Sequence, residues 1–175
     1  MPLADARRVF EVNIFGAAGL TQLVLPSMRT QGGGTIVNIS SIGGEAAFAL
    51  AGWYYASKHA LEGWTDSLRQ EVARFGVRVV QIQPGIIRSA FEQDTARLLH
   101  ETSEHDAYRD VAEKMARRVE ASNRASDPAV VGRAVRRAVG ASAPRPRYAV
   151  GYLARTVLTL NWLLTDRAFD AIATR

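Results

Sequence analysis

The chain has no cysteine, which excludes disulfides, thiol nucleophiles and thiolate metal sites. Its three histidines, His59, His100 and His105, match no metal-ligand spacing, so no metal centre is expected. No uninterrupted run of about eighteen apolar residues occurs, and a transmembrane segment is not expected. The start, Met1-Pro2-Leu3-Ala4-Asp5-Ala6-Arg7-Arg8, lacks the basic stretch and apolar core of a signal peptide. A cytoplasmic location is the expectation that remains. Internal repeats and linker-like stretches are also missing, so residues 1–175 read as a single domain.

What is present is enough apolar material for a core. Of 175 residues, 47% are hydrophobic and 22% charged, the balance of a globular domain. The formal charge is +5. A nucleic-acid surface would need that charge clustered among exposed aromatics. Here basic and acidic residues alternate, as in Glu113, Lys114, Arg117, Arg118 and Glu120, which describes a solvated helix face. No nucleic-acid partner is expected.

Taken in order, Leu3 to Thr30 is helical, with Val9, Phe10, Ile14, Phe15, Leu20, Leu23 and Val24 at three- and four-residue spacing. Asn13 interrupts it, either as a tolerated polar residue or as an irregularity beside a site. Gly32-Gly33-Gly34 leads into a strand, Thr35–Ile39; phosphate loops run from strand into helix, so these glycines read as a helix stop and a turn. Ser40-Ser41-Ile42-Gly43-Gly44 is a polar loop. A long helix from Tyr54 to Phe75 closes on Gly76, and a second strand, Val77–Ile82, stops at Pro84-Gly85. Residues 88–126 are polar and patchily helical, and read as a cover segment. Asp127-Pro128 starts a helix that ends at Gly140. Arg147–Val150 forms a short third strand, Tyr152–Leu164 a helix, and a last helix starts at Thr165. Helices alternating with apolar strands imply an α/β fold on a parallel sheet.

Ligands of open parallel sheets bind beyond the C-terminal strand ends. The first strand delivers Ser41 there, the second Pro84-Gly85, and the intervening helix begins at the same edge with Tyr54 and Lys58. Those two residues are four apart and share a helix face. The helix N-terminus and Lys58 both favour a phenolate at Tyr54, and a phenol so tuned is a general acid/base. Phe48, Trp53 and Phe91 read equally as lining of an apolar pocket or as core. The stripe Leu153, Val157, Leu160 and Leu164, with Trp162, reads as packing, with contact to a membrane or an apolar substrate as the alternative.

These motifs resemble a known family. Asn13-Ile14-Phe15-Gly16, Ile36-Val37-Asn38-Ile39-Ser40-Ser41, Tyr54-Tyr55-Ala56-Ser57-Lys58 and Pro84-Gly85-Ile86-Ile87-Arg88-Ser89 stand in the order and spacing of the short-chain dehydrogenases/reductases. The stretch Ala143 to Gly151 resembles the branch with 17β-hydroxysteroid- and retinol-dehydrogenase-like members. The resemblance implies a Rossmann-like, doubly wound, three-layer αβα fold and an NAD(P)-dependent exchange of hydride between an alcohol and a ketone or aldehyde. It implies that Tyr54 moves the proton, Lys58 tunes it and holds the nicotinamide ribose, and Ser41 orients the substrate oxygen. Asn13 would hold a water on the proton path. Pro84, Gly85 and Ile87 would line the nicotinamide, with Ser89 where the family usually has a cofactor-contacting Thr. The cofactor would be NAD or NADP, and the substrate an apolar small-molecule alcohol or carbonyl compound.

Before these motifs the family carries dinucleotide-binding βαβ units with a Gly-rich turn, and this sequence has none of that pattern. The chain therefore reads as the C-terminal catalytic half of such a fold, with weak cofactor binding by itself. Its first strand would present an open edge, and homo-oligomers through the two long helices are expected. Two readings stay open. One is an oxidoreductase present as its catalytic half, the other a non-catalytic remnant serving as a dimerising or interaction module.

Overall fold

The computed structural model describes residues 1–89, 106–120 and 124–174. Two helices run head to tail at the N-terminus, α1 (Leu3–Phe10) and α2 (Gly16–Thr30), joined without a break by a π-helical turn, Glu11–Phe15. Strand β1 (Gly34–Ile39) follows, then a 3₁₀ turn at Ile42–Gly44 and the long helix α3 (Gly52–Val72). Strand β2 (Val77–Pro84) leads toward α4 (Arg109–Glu120) and α5 (Ala129–Gly140), and β3 (Arg147–Val150) is followed by α6 (Ala154–Leu163) and α7 (Asp166–Ala173).

The three strands form one parallel sheet in the order β1-β2-β3. Gly34 to Ile39 pair with Val77 to Ile82, and Gln81 to Pro84 with Arg147 to Val150. Because side chains alternate along a strand, β2 feeds two layers. Val77 and Val79 join Ile36, Leu68 and Val72 on the α3 side, closed by Leu25 and Met28 of α2. Val80 and Ile82 join Ala134 and Ala138 of α5 on the other. Helices thus cover both faces, as a parallel sheet requires.

The α3-facing side changes character along its length. Its N-terminal end is aliphatic, while its C-terminal end carries the buried polar residues Asn38, Gln81 and Gln83. Asn38 Nδ2 donates to Thr65 Oγ1 of α3 at 2.9 Å, and Gln81 Nε2 to the Glu62 carbonyl at 3.1 Å. The sheet is apolar where it only packs and polar where it meets the ends of the strands.

Helix ends follow local chemistry. Gly76 takes the left-handed conformation (φ 72°) that closes the α3 segment, and a Cβ there would lie 2.5 Å from the Gly32 carbonyl oxygen. Asp127 Oδ1 accepts from the Ala129 amide at 2.8 Å, capping α5. The cover segment expected over 88–126 falls in part on residues 90–105 and 121–123, outside the described residues, and so does Phe91.

The N-terminal helix qualifies the expectation of no transmembrane segment. Leu3–Thr30 is 28 residues long, with a mean hydropathy of 1.3 in its most apolar window, of which 6% is buried. Length and composition alone would let it cross a membrane. Counting uninterrupted apolar residues misses this because Asn13, Thr21 and Gln22 break the run without lowering its mean far. Here Leu25 and Met28 anchor the helix on the sheet.

Candidate active site

A cavity of ≈ 1130 Å³ opens at the C-terminal edge of the sheet, and Asn13, Ser41, Tyr54, Lys58, Pro84, Gly85, Ile87 and Ser89 all line it. Binding clefts span roughly 300–1,000 Å³, so this one is large. Phe48, Tyr55, Met115, Leu153 and Val157 make its apolar walls. Trp53, read from sequence as pocket or core, instead meets Phe10 edge-on at 6.3 Å.

Tyr54 and Lys58 occupy the first two turns of α3. Lys58 Nζ donates to the Ile39 carbonyl at 3.0 Å, which fixes the ammonium at the end of β1, 5.9 Å from the Tyr54 ring centre. Ser41 shapes its own loop, its Oγ accepting from the Gly43 amide at 3.0 Å. The Ser41 and Tyr54 side chains are hydrogen-bonded.

The electrostatics correct one expectation. Burial pushes the Tyr54 phenol above its usual value, and the Ser41 hydrogen bond offsets only part of that rise. The expected lowering by Lys58 and the helix N-terminus is not the larger effect, because the ring is removed from water more completely than it is charge-compensated. Burial likewise lowers Lys58, and the Glu62 carboxylate works against it. Tyr55, beside Tyr54, is pushed by burial from 10.0 to about 12.

Asn13 lies in the π-helical turn. The extra residue lets the Gly16 amide reach back five residues to the Glu11 carbonyl, an irregularity that often marks functional sites. Asn13 Nδ2 donates to Ser57 Oγ at 2.9 Å, and Ser57 Oγ to the Tyr54 carbonyl at 2.7 Å. Ser57 is fully buried. No role was read for it from sequence, although it stands between Tyr54 and Lys58; three residues beyond Tyr54 it faces back along the helix, and that spacing was the available signal.

The segment after β2 is held by backbone pairing. The Gly85 amide donates to the Val150 carbonyl at 2.8 Å, Ile86 to Tyr152 at 3.0 Å, and Arg88 to Ser126 at 3.0 Å. Gly85 is obligatory, since a Cβ would fall 2.1 Å from the Tyr152 carbonyl oxygen. Leu153 sits at φ 60°, a strained position for a branched side chain, and projects into the cavity wall.

A nicotinamide–ribose end fits what is present. A fixed ammonium and a phenol share one wall, a clamped apolar segment forms the other, and Ser40 Oγ is buried on the lining with no partner among protein atoms. The sequence contains no Gly-x-Gly-x-x-Gly pattern of a pyrophosphate turn, and the described residues contain no cluster of metal-ligating side chains.

Comparison with known proteins places this arrangement. Residues 1–98 match the family model of the short chain dehydrogenases. The oxidoreductase YbbO of Escherichia coli is 34% identical over 97% of this chain and 59% of its own length. Human retinol dehydrogenase 5 is 34% identical over 97% of this chain and 57% of its own. A solved short-chain dehydrogenase from Streptomyces avermitilis superposes with a TM-score of 0.74 at 34% identity, covering 89% of this chain and 56% of that one. The chain thus spans a little under three fifths of the relatives it matches along its whole length. On its matched family model, its motifs and its parallel sheet, the chain belongs to the short-chain dehydrogenase family.

Proposed function

We propose that this chain carries the catalytic half of an NAD(P)-dependent oxidoreductase that interconverts an apolar alcohol and its ketone or aldehyde. The supporting observation is that Ser41, Tyr54 and Lys58 meet on one wall of an apolar cavity. The cofactor, when bound, supplies or accepts the hydride. Tyr54 gives its proton to the substrate oxygen as a carbonyl is reduced, and takes it back in oxidation. Its raised pKa suits the proton-donating direction, since the phenol is protonated at neutral pH. Ser41 donates a hydrogen bond to the same oxygen and holds it over Tyr54. Lys58 would hold the ribose hydroxyls and, as a cation near the phenol, steadies the phenolate that remains after transfer. Asn13 secures the start of α3 through Ser57. Pro84, Gly85 and Ile87, which line the cavity, would flank the nicotinamide, and Ser89 would offer a hydroxyl beside it.

Titration of the purified chain with NADH and NADPH tests this. A change in cofactor fluorescence at millimolar concentration, followed by turnover of a hydrophobic secondary alcohol or ketone, is the expected result. Unchanged fluorescence with both cofactors would refute catalysis by this chain alone.

One observation favours a second reading, a dimerising or interaction module. Val12, Phe15, Leu20 and Leu23 are each more than half exposed. A monomer rarely exposes such a stripe without a use for it. Sedimentation separates the readings: a stable dimer with no cofactor response supports the module alone.

A further inference from the structure

Beneath the cavity lies a charge network unused by the proton chemistry above. Glu62 follows Lys58 by one turn of α3 and is 5% exposed. Its carboxylate accepts from Arg147 Nε at 3.0 Å and from Gln83 Nε2 at 3.1 Å. Arg147, from β3, also donates through Nη2 to Asp66, the next turn of α3, and lies 3.5 Å from Glu45. Gln83 donates to Glu45 as well, and Asn161 of α6 donates to the Glu45 carbonyl at 2.9 Å. One guanidinium therefore ties β3, the catalytic helix and the loop that carries Ser41.

The loop rests directly on Glu62. A Cβ on Gly44 would lie 2.7 Å from Glu62 Cγ and 2.7 Å from Ser40 Oγ. The Gly44 amide donates to the Ser41 carbonyl at 2.9 Å. The stem of Glu62 thus supports the turn that aims Ser41, and its carboxylate, one helical turn beyond Lys58 on α3, favours the charged form of that lysine against burial. We propose that Glu62, held by Arg147, is a positioning residue that sets Lys58 and the Ser41 loop relative to Tyr54. Breaking the pair by removing only Arg147 leaves a buried carboxylate uncompensated, which costs more than losing both partners.

The inference rests on the reading of Ser41, Tyr54 and Lys58 as the reacting centre, but its test needs neither cofactor nor turnover. Failed cofactor binding would therefore leave this result standing, and the reverse. The charged and titratable groups around Glu62 are Lys58 and Asp66 on α3, Arg147 on β3 and Glu45 on the loop; β2 contributes the neutral Gln81 and Gln83.

The chain has only two lysines, Lys58 and Lys114. Side-chain NMR of lysine-labelled protein therefore reads Lys58 as one of two signals, assigned by Lys114→Arg. Glu62→Gln keeps the shape and removes the charge, and its expected effect is a downward shift of the Lys58 titration against wild type. Arg147→Met is expected to speed amide exchange at Gly43 and Gly44 by about tenfold, with partial recovery in Arg147→Lys and in the double variant Glu62→Gln/Arg147→Met. In that double variant Lys58 stays shifted down, which separates charge from packing. A Lys58 titration identical in wild type and Glu62→Gln overturns the proposal, whatever happens to the melting temperature. Should Arg147→Met not fold, the isosteric Glu62→Gln still decides the matter.

Discussion

Tyr54 is a half-buried phenol with a serine hydroxyl bonded to it and an ammonium nearby. Replacing it with Phe keeps the ring and removes the proton. The proposed chemistry predicts a loss of about 10²–10⁴ in turnover with the fold intact by circular dichroism. Its neighbour offers a cleaner thermodynamic test. Tyr55 is raised to about 12, while an unfolded phenol titrates near 10. The folded state therefore keeps this proton when the unfolded state has lost it. The stability linked to it is complete below about pH 10 and is lost as pH rises toward about 12. Melting temperatures of wild type and Tyr55→Phe between pH 9 and 12 should diverge with that sign. Asp66 behaves oppositely. Burial works to raise its carboxyl, but Arg147 and Arg69 outweigh that and hold it low. Its contribution is present above the usual carboxylate range and is lost as pH falls through the depressed value. At this scale the sequence revealed identities better than electrostatics. The Tyr54–Lys58 spacing is visible on any helix, but the competition between desolvation and charge is set by burial in the fold and by a partner on another segment, Ser41.

Among the elements, the strands and helices follow from pattern with few surprises. The third strand lies at Arg147–Val150, as read after the loop marked by Pro144 and Pro146, and Gly76 caps where a glycine after a helical run should. The second strand runs past Ile82 to Pro84 because Gln81 and Gln83 are fully buried polar residues facing α3, which an apolar-run criterion ends too early. The π-helical turn was legible only as a misplaced Asn13, since its extra residue is a backbone event that no side-chain period records. Ile82, with 0% exposure between β3 and α5, is the best probe of this layer. Ile82→Ala should cost about 2–5 kcal/mol, measured by chemical denaturation. Gly85→Ala should be worse than its size suggests, since its methyl group would meet backbone; loss of cooperative unfolding is the expected outcome.

For the molecule as a whole, the sheet ends at β1 with an unpaired edge among the described residues, and Ile39 there is 44% exposed. Val12, Phe15, Leu20 and Leu23 of the N-terminal helical segment are exposed as well. Matched relatives are longer, so the chain holds one portion of a larger family architecture. In the proposed reading that portion would carry the nicotinamide-facing wall of the cavity, and the sequence has no Gly-x-Gly-x-x-Gly pattern for a pyrophosphate. This division makes a sharp claim. Cofactor recognition by this chain should depend on the nicotinamide–ribose end alone. Reduced nicotinamide mononucleotide, which has that end and lacks the adenylate, is the direct probe. A fluorescence titration should show it binding the chain as well as NADH does, at millimolar concentration, with the response lost in Lys58→Ala. No response, or a response unchanged in Lys58→Ala, would contradict the account.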